Sequence, residues 1–585
     1  MQEAAEVPAI DLPTLQQWTE TIGRAQQMML EFWVNQAKDA QPPADQWSMS
    51  LWADMSSLWT IDGSRIADRQ AQLLTQSLDL WNRFLSPGTD AGSPADKDRR
   101  FKGDAWRSQP LFDLIRQSYL LVSDHLLANI DEMEGLDPAQ RERLRFATRA
   151  IIEAISPSNF AFTNPEVIER TIETGGQNLV AGLEHMLTDL SRGQLTQTRA
   201  DAFELGRNIA STPGKVVFET ELFQLIQYNP TTEEVFRKPL LIFPPWINRF
   251  YILDLSPEKS FIRWAVEQGH TVFIVSWKSA DETLKDVTAE DYVRAQVSAI
   301  DTVRDVLGVK SVNTIGYCVA GTTLAMTLAW LTAQGQAQKV ESATYFTAQV
   351  DFEDAGDLKI FVDDDQLALV SALSQGKGYL DGRFMTATFN LLRGQDLIWS
   401  YVVNNYLLGK EYTPFDLLYW NSDFTNLPAR WHREYLADLY RDNKLMRGEI
   451  SIAGTPIRLG DVMTPSYVQA GREDHIAPAR SVWKMMEAMK APMRFLLAGS
   501  GHIAGVVNPP SSGKYQYWTF DGKAASLDEF IEKASETQGS WWPDWMEWIR
   551  PHAGKLVPAT GARIPGGNPK YPAIEDAPGR YVTMR

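Results

Sequence analysis

Cysteine is nearly absent: the 585 residues hold one, Cys318. A single thiol excludes an intramolecular disulfide and any cysteine-based zinc site, so nothing in the chain calls for an oxidising compartment. Positive charge is also short, with 56 Lys and Arg against 74 Asp and Glu and a net charge of −18. Such a surface opposes nonspecific nucleic-acid binding and offers an anionic substrate no bulk attraction, so an anion would need a local basic patch. No uncharged apolar run reaches the ~18 residues of a membrane-spanning helix. The opening MQEAAEVPAI lacks the basic stretch and apolar core of a secretory signal, and a cytoplasmic protein is expected. No repeat of fixed period occurs. What the chain does have is ordinary for a folded protein with a large core, 44% hydrophobic and 22% charged residues, in a length that suggests roughly three or four domain-sized units.

The pattern changes character twice. From Leu12 to about Leu85 it is helical, with Trp52, Met55 and Trp59 at three- and four-residue steps and Trp18, Trp33, Trp47 and Trp81 extending an aromatic stripe, read as packing faces. SPGTDAGSPADKD (86–98) reads as an exposed loop or linker. Helical patterns resume from Trp106 to about Leu205. Strand-like runs then begin: KVVFETELFQLIQY (215–228) as a strand pair, followed by PLLIF (239–243), TVFIVSW (271–277), SVNTIG (311–316) and SATYFTA (342–348) at helix-length intervals. Strand alternating with helix predicts an α/β fold built on a parallel sheet, with its ligand site beyond the carboxyl ends of the strands.

Cys318 lies at one of those ends. A strand-to-helix turn that projects a nucleophile needs small neighbours, because the turning residue is strained and strand and helix approach closely. Gly316, Ala320 and Gly321 surround Cys318 in GYCVAGT, the nucleophile-elbow pattern with cysteine for serine and with alanine where the second glycine is usual. Taken alone, the match competes with a buried inert cysteine at a helix start. PSYVQAGREDHIAP ends a strand-like run at Asp474, and MRFLLAGSGHIAG ends another at His502. Nucleophile, acid and histidine thus fall past strand ends in the chain order of α/β-hydrolases. Asp474 could instead cap the helix that follows, and His502 could be a core histidine; the three together favour a Cys318–His502–Asp474 triad. His475 is set aside in favour of His502.

GYCVAGT, PPWINRFYILDL, TVFIVSW, PFDLLYWNSD, GREDHIAP, SGHIAGVVNPP and GSWWPDWMEW, with DRRFKGDAW, SPSNFAFTNPE and GGQNLVAGLEHM upstream, resemble the class I poly(3-hydroxyalkanoate) synthases from about residue 98 onward. Ala320 stands where that family usually has glycine. The resemblance implies an α/β-hydrolase fold with a cap insertion, preceded by a mostly helical domain. Domains are expected at 1–204 (helical, for dimer, granule or phasin contact) and 205–585 (catalytic, with a cap at about 350–465). It implies polymerisation of (R)-3-hydroxyacyl-CoA, with short side chains, into a polyester with release of CoA, by a homodimer on a granule in the cytoplasm, with phasin-type proteins as further partners. No cofactor or metal is expected, since the CoA thioester is itself the substrate.

An acyl-cysteine formed from a thioester keeps its transfer potential, which suits an enzyme that passes the acyl group onward. Oxyanion donors are expected at the backbone N–H of Val319 and, in the loop after PLLIF, of Ile247. Arg249 and Arg393 are candidate contacts for CoA phosphates, each with an ion-paired reading beside it. With one thiol per chain, elongation proceeds either through a transiently released chain or by two subunits sharing a site. A thioesterase or lipase-like hydrolase would use the same triad, and a noncatalytic granule-coat protein would not need it.

Overall fold

The computed structural model describes residues 63–85, 98–133 and 135–585, with the backbone alone for 63–70. The tryptophan-rich helical stretch expected from Leu12, with Trp18, Trp33, Trp47, Trp52, Met55 and Trp59, and nearly all of the 86–98 loop lie outside the described residues. The rest divides into two compact units, one running to Gln197 and including Thr388–Thr413, the other comprising Thr198–Ala387 and Pro414–Arg585.

The first unit is helical. Its main elements are α1 (Gly63–Leu85), α2 (Pro110–Asp131), α3 (Pro138–Ala154), α4 (Pro165–Glu173) and α5 (Gln177–Arg192). Local sequence sets their ends: Asp137 and Gln140 close a capping box on α3 with Pro138 in the first turn, and Asn164 caps α4 ahead of Pro165. Residues 388–413 join this unit through Asn178 Nδ2, which donates to the Leu407 carbonyl at 2.7 Å, and Tyr406, whose hydroxyl donates to Asp189 at 2.6 Å. On α1 the packing face expected around Trp81 is not fully covered, for Trp81, Leu74, Leu78 and Leu85 are all more than half exposed.

The second unit is built on an eleven-stranded sheet. In chain order its strands are β1 (Gly214–Glu219), β2 (Phe223–Tyr228), β3 (Leu240–Phe243), β4 (Val272–Trp277), β5 (Val312–Tyr317), β6 (Val340–Phe346), β7 (Ser466–Gly471), β8 (Met493–Ala498), β9 (Gln516–Thr519), β10 (Ser535–Gln538) and β11 (Glu575–Asp576). They lie in the order β10-β9-β8-β7-β6-β5-β3-β4-β2-β1-β11. The parallel sheet expected from the alternation is its centre, from β4 across to β8. The outer strands are antiparallel, so the whole is mixed. The reason is visible in the connections: β1 and β2 are joined by a turn too short for a crossover, whereas helices α6 (Ala289–Leu307) and α7 (Val319–Ala333) follow β4 and β5. The central strands β3, β4 and β5 are buried along their whole length. So is nearly all of α7, whose sequence is apolar on every side.

The connection from β6 to β7 runs from Phe346 to Ser466. Part of it, 388–413, belongs to the first unit, so the stretch expected as a cap is shared between the two. The part in the second unit includes α8 (Ala429–Glu434), which runs into a π-helical turn, Tyr435–Arg441. Among the described residues no helix is long and apolar enough to cross a membrane.

Candidate active site

β5 ends at Tyr317 and α7 begins at Val319, leaving Cys318 alone to turn the chain. It does so at φ 53° and ψ −127°, a conformation strained for any residue with a side chain and typical of a projected nucleophile. Hydrogen bonds hold the turn: the Cys318 N–H donates to the Phe346 carbonyl at 2.8 Å, and the Cys318 carbonyl accepts from Gly321 N–H at 2.8 Å. The close approach of strand and helix falls on Gly316 and Gly321. A Cβ on Gly316 would stand 2.6 Å from Gly321 Cα, and one on Gly321 would stand 2.4 Å from Ala348 Cβ. Ala320, in the place where glycine is usual, is wholly buried and its carbonyl accepts from Gln296. Its methyl is accommodated because the tight contact belongs to the next residue.

Asp474 and His502 follow β7 and β8 and meet. Asp474 Oδ2 lies 2.7 Å from His502 Nδ1. An ionised carboxylate only accepts, so Nδ1 carries the proton and the other ring nitrogen is left as an acceptor. Asp474 Oδ1 accepts from the N–H groups of Ile476 and Ala477 at 2.8 and 2.9 Å. The turn-capping role and the histidine-orienting role considered for this residue are therefore both present, one on each oxygen. Burial by itself disfavours a charged His502, but Asp474 and then Cys318 outweigh it and hold the imidazole pKa well above its ordinary value. The Tyr317 hydroxyl donates to the His502 carbonyl at 3.1 Å, tying the loop after β8 to the strand that carries the cysteine. The backbone carbonyl of His475 accepts from the Asp357 N–H at 3.3 Å.

β3 pairs in parallel with β5, Phe243 opposite Gly316, so the turn that contains Ile247 leaves the sheet beside the elbow. Trp246 Nε1 fastens that turn to α7 by donating to Thr323 Oγ1 at 3.3 Å. Val319 opens α7, where a backbone N–H has no partner within the helix. Both expected oxyanion positions thus lie at the carboxyl ends of neighbouring strands. Arg249, two residues past Ile247, is differently placed from the expectation for a phosphate ligand. It is buried, with Nε 3.2 Å from Asp423 and with the carbonyls of Tyr581 and Met584 accepting from its other nitrogens. Arg393 pairs with Asp396 three residues on.

Sequence reasoning missed the polar and aromatic cluster that is fastened to the first turn of α7. Thr322 Oγ1 donates to the Gln349 carbonyl at 2.7 Å, and the Gln349 side-chain amide lies between Tyr440 Oη at 3.3 Å and Ser481 Oγ at 2.9 Å. Trp246, Trp431, Tyr435 and Phe352 close the surface, with Trp246 and Tyr435 ring centroids 5.0 Å apart. Apart from Thr322, these residues come from four parts of the chain, around 246, 349–352, 431–440 and 481, so no single motif announces them. Among the described residues no group of three or more His, Cys, Asp or Glu side chains is placed to hold a metal ion.

Comparison with known proteins matches the same regions. The family model for the amino-terminal part of poly-beta-hydroxybutyrate polymerase (PhaC) covers residues 97–265, and that for the α/β hydrolase fold covers residues 238–509. The chain is 45% identical over 556 residues to the poly(3-hydroxyalkanoate) polymerase subunit PhaC of Rhizobium meliloti, spanning 93% of this chain and 90% of the relative. It is 43% identical over 531 residues to the subunit of the same name from Cupriavidus necator, spanning 89% of each. With poly(3-hydroxyalkanoate) polymerase 2 of Ectopseudomonas oleovorans it shares 37% identity over 495 residues, 84% of this chain and 87% of that one.

Proposed function

The chain belongs to the poly(3-hydroxyalkanoate) polymerases, transferases of α/β-hydrolase fold, and from that premise we propose that it polymerises short (R)-3-hydroxyacyl-CoA units, as a class I enzyme, through an acyl group carried on Cys318. The observation that supports the reading is the pairing of the His502 imidazole with Asp474, together with a cysteine held at φ 53° at a strand-to-helix turn.

In the first half-reaction His502 takes the thiol proton and Asp474 stabilises the resulting imidazolium. Cys318 Sγ attacks the thioester carbonyl, whose oxyanion is met by the N–H groups of Val319 and Ile247. The bond from carbonyl carbon to CoA sulfur breaks, and the proton leaves with the CoA thiol. In the second half-reaction His502 takes the proton from the 3-hydroxyl of another hydroxyacyl unit. That oxygen attacks the acyl carbon, the carbon–Sγ bond breaks, and the proton returns to Cys318, leaving an ester one unit longer. Water would end the chain at the acyl-enzyme stage, and the aromatic wall of Trp246, Trp431, Tyr435 and Phe352 supports its exclusion. The thioester supplies both the acyl group and the driving force, so the chemistry asks for no cofactor. One thiol per chain favours elongation through a transiently released chain over two thiols working in turn. The growing granule, a second copy of this chain and phasin-type proteins are the partners that go with this reading, and the granule surface in the cytoplasm is the place.

The test is to incubate the full chain with (R)-3-hydroxybutyryl-CoA, follow CoA release, weigh insoluble polymer and map the acyl adduct by mass spectrometry. Polymer together with an adduct on Cys318, both lost in Cys318→Ala, is expected. CoA release that survives Cys318→Ala would sink the proposal, and stoichiometric soluble hydroxyacid without polymer would make the protein a hydrolase.

A further inference from the structure

The π-helical turn Tyr435–Arg441 carries two tyrosines five positions apart, the spacing of its own backbone hydrogen bonds. Their ring centroids are 5.8 Å from each other, both side chains are buried, and both are close enough to Cys318 for its charge to raise their pKa values, after burial as the larger cause. Geometry ties Tyr440 to the elbow: the Thr322 N–H donates to the Cys318 carbonyl at 3.2 Å, and the Thr322 hydroxyl donates to the Gln349 carbonyl at 2.7 Å. Tyr440 touches the Gln349 amide, which Ser481 braces from its other side. That contact takes one of a phenol's three hydrogen-bonding positions. No other side chain among the described residues is hydrogen-bonded to Tyr440, and its ring packs on Phe352 with centroids 4.8 Å apart. A polar tip is therefore held, by a braced amide, in an otherwise aromatic surface, and the residue that bears the amide is fastened through Thr322 to the turn that carries Cys318.

We propose that Tyr440 is a specificity-determining residue whose hydroxyl hydrogen-bonds the C3 oxygen of the acyl group on Cys318, so that 3-hydroxyacyl thioesters are selected over thioesters lacking that oxygen. This rests on the acyl-cysteine reading above. A 3-hydroxyacyl group has two oxygens. The carbonyl oxygen belongs to the backbone donors at the elbow, and the C3 oxygen, two carbons farther on, would otherwise be buried against rings without a partner. A hydroxyl can give or take the proton, so Tyr440 serves both a free 3-hydroxyl and the ester oxygen of a chain already lengthened. A site that spends a buried polar group on a substrate hydroxyl rejects the deoxy analogue strongly, because that group is then left unpaired.

The experiment is single-turnover CoA release by the full chain from (R)-3-hydroxybutyryl-CoA and from butyryl-CoA, with the adduct mapped each time. Wild type should acylate with the hydroxylated thioester at least about tenfold faster. Tyr440→Phe should remove most of that preference by slowing the hydroxylated substrate alone, and Gln349→Leu should remove part of it. Equal rates for the two thioesters in wild type overturn the proposal without any variant being made, as does an equal slowing of both in Tyr440→Phe. An adduct on Cys318 with the preference unmoved refutes the role of Tyr440 alone; an adduct elsewhere refutes the acyl-cysteine reading and this proposal with it.

Discussion

His270 stands two residues before β4 with both ring nitrogens buried and without a hydrogen-bond partner, its ring 4.9 Å from that of Phe236. Burial, aided by Arg550, lowers its pKa to about 4. A histidine kept neutral this way binds its proton in the unfolded chain near pH 6.5 but in the native state only near pH 4. Its contribution is therefore complete above pH 6.5 and is lost as the pH falls towards 4, at about 1.4 kcal/mol per unit. His270→Phe should gain about 2 kcal/mol relative to wild type between pH 7 and pH 5. Urea denaturation at the two pH values measures it, and a difference that does not change with pH would count against it. At this scale the candidate triad was legible, because Cys318, Asp474 and His502 each end a strand-like run and fall in a recognisable order. Tyr440, Gln349 and Ser481 were not, since each is one polar residue in its own stretch and only the folded chain makes them neighbours. Arg249 carried two readings, phosphate ligand and ion pair, and the structure has the second. An arginine in a loop looks like an anion ligand until the carboxylate that answers it, Asp423, is seen.

The elbow is the element on which the site depends, and its tolerance is set by clearance. Gly321→Ala would put a methyl 2.4 Å from Ala348 Cβ and 2.8 Å from the Gly316 carbonyl oxygen. Neither neighbour is the free end of a flexible side chain, so α7 must shift from β5. We expect a loss of about 1–3 kcal/mol in stability, with CoA release falling further than stability does, because the shift carries Cys318 with it. Ala320→Gly, one residue earlier, should leave the Cys318 reaction nearly unchanged. Comparing melting temperature with turnover for the pair checks both, and an active, stable Gly321→Ala would show that the contact is not needed. The central strands were read within a residue or two, because buried parallel strands are short apolar runs bounded by turns. The β1–β2 pair was read as well, from 215–228; the other antiparallel edges, β9, β10 and β11, and the π turns were not, since short edge strands and an i→i+5 bond pattern leave no period in the sequence.

On the scale of the second unit, Arg249 and Asp423 form a buried ion pair to which the segment 581–585 is tied. Asp423 accepts from Arg249 Nε, from the Tyr251 hydroxyl at 2.6 Å and from Arg585 at 2.9 Å. It joins three distant parts of the chain, including the turn after β3. Asp423→Ala leaves the Arg249 guanidinium buried without its carboxylate and should cost about 3–5 kcal/mol. The paired replacement Arg249→Met with Asp423→Leu should recover much of that, because burying no charge is cheaper than burying one alone. Chemical denaturation of the single and double variants decides it; additive losses would contradict the argument. The sequence by itself determined the α/β alternation, the elbow and the strand ends that carry an acid and a histidine, because these depend on local periodicity and on small residues at short spacing. Only the tertiary structure decided that one imidazole meets Asp474, that Arg249 is answered from within, and that Tyr440 meets the Gln349 amide. Those relations join positions tens to hundreds of residues apart, and such distances are closed by packing, which no local pattern records.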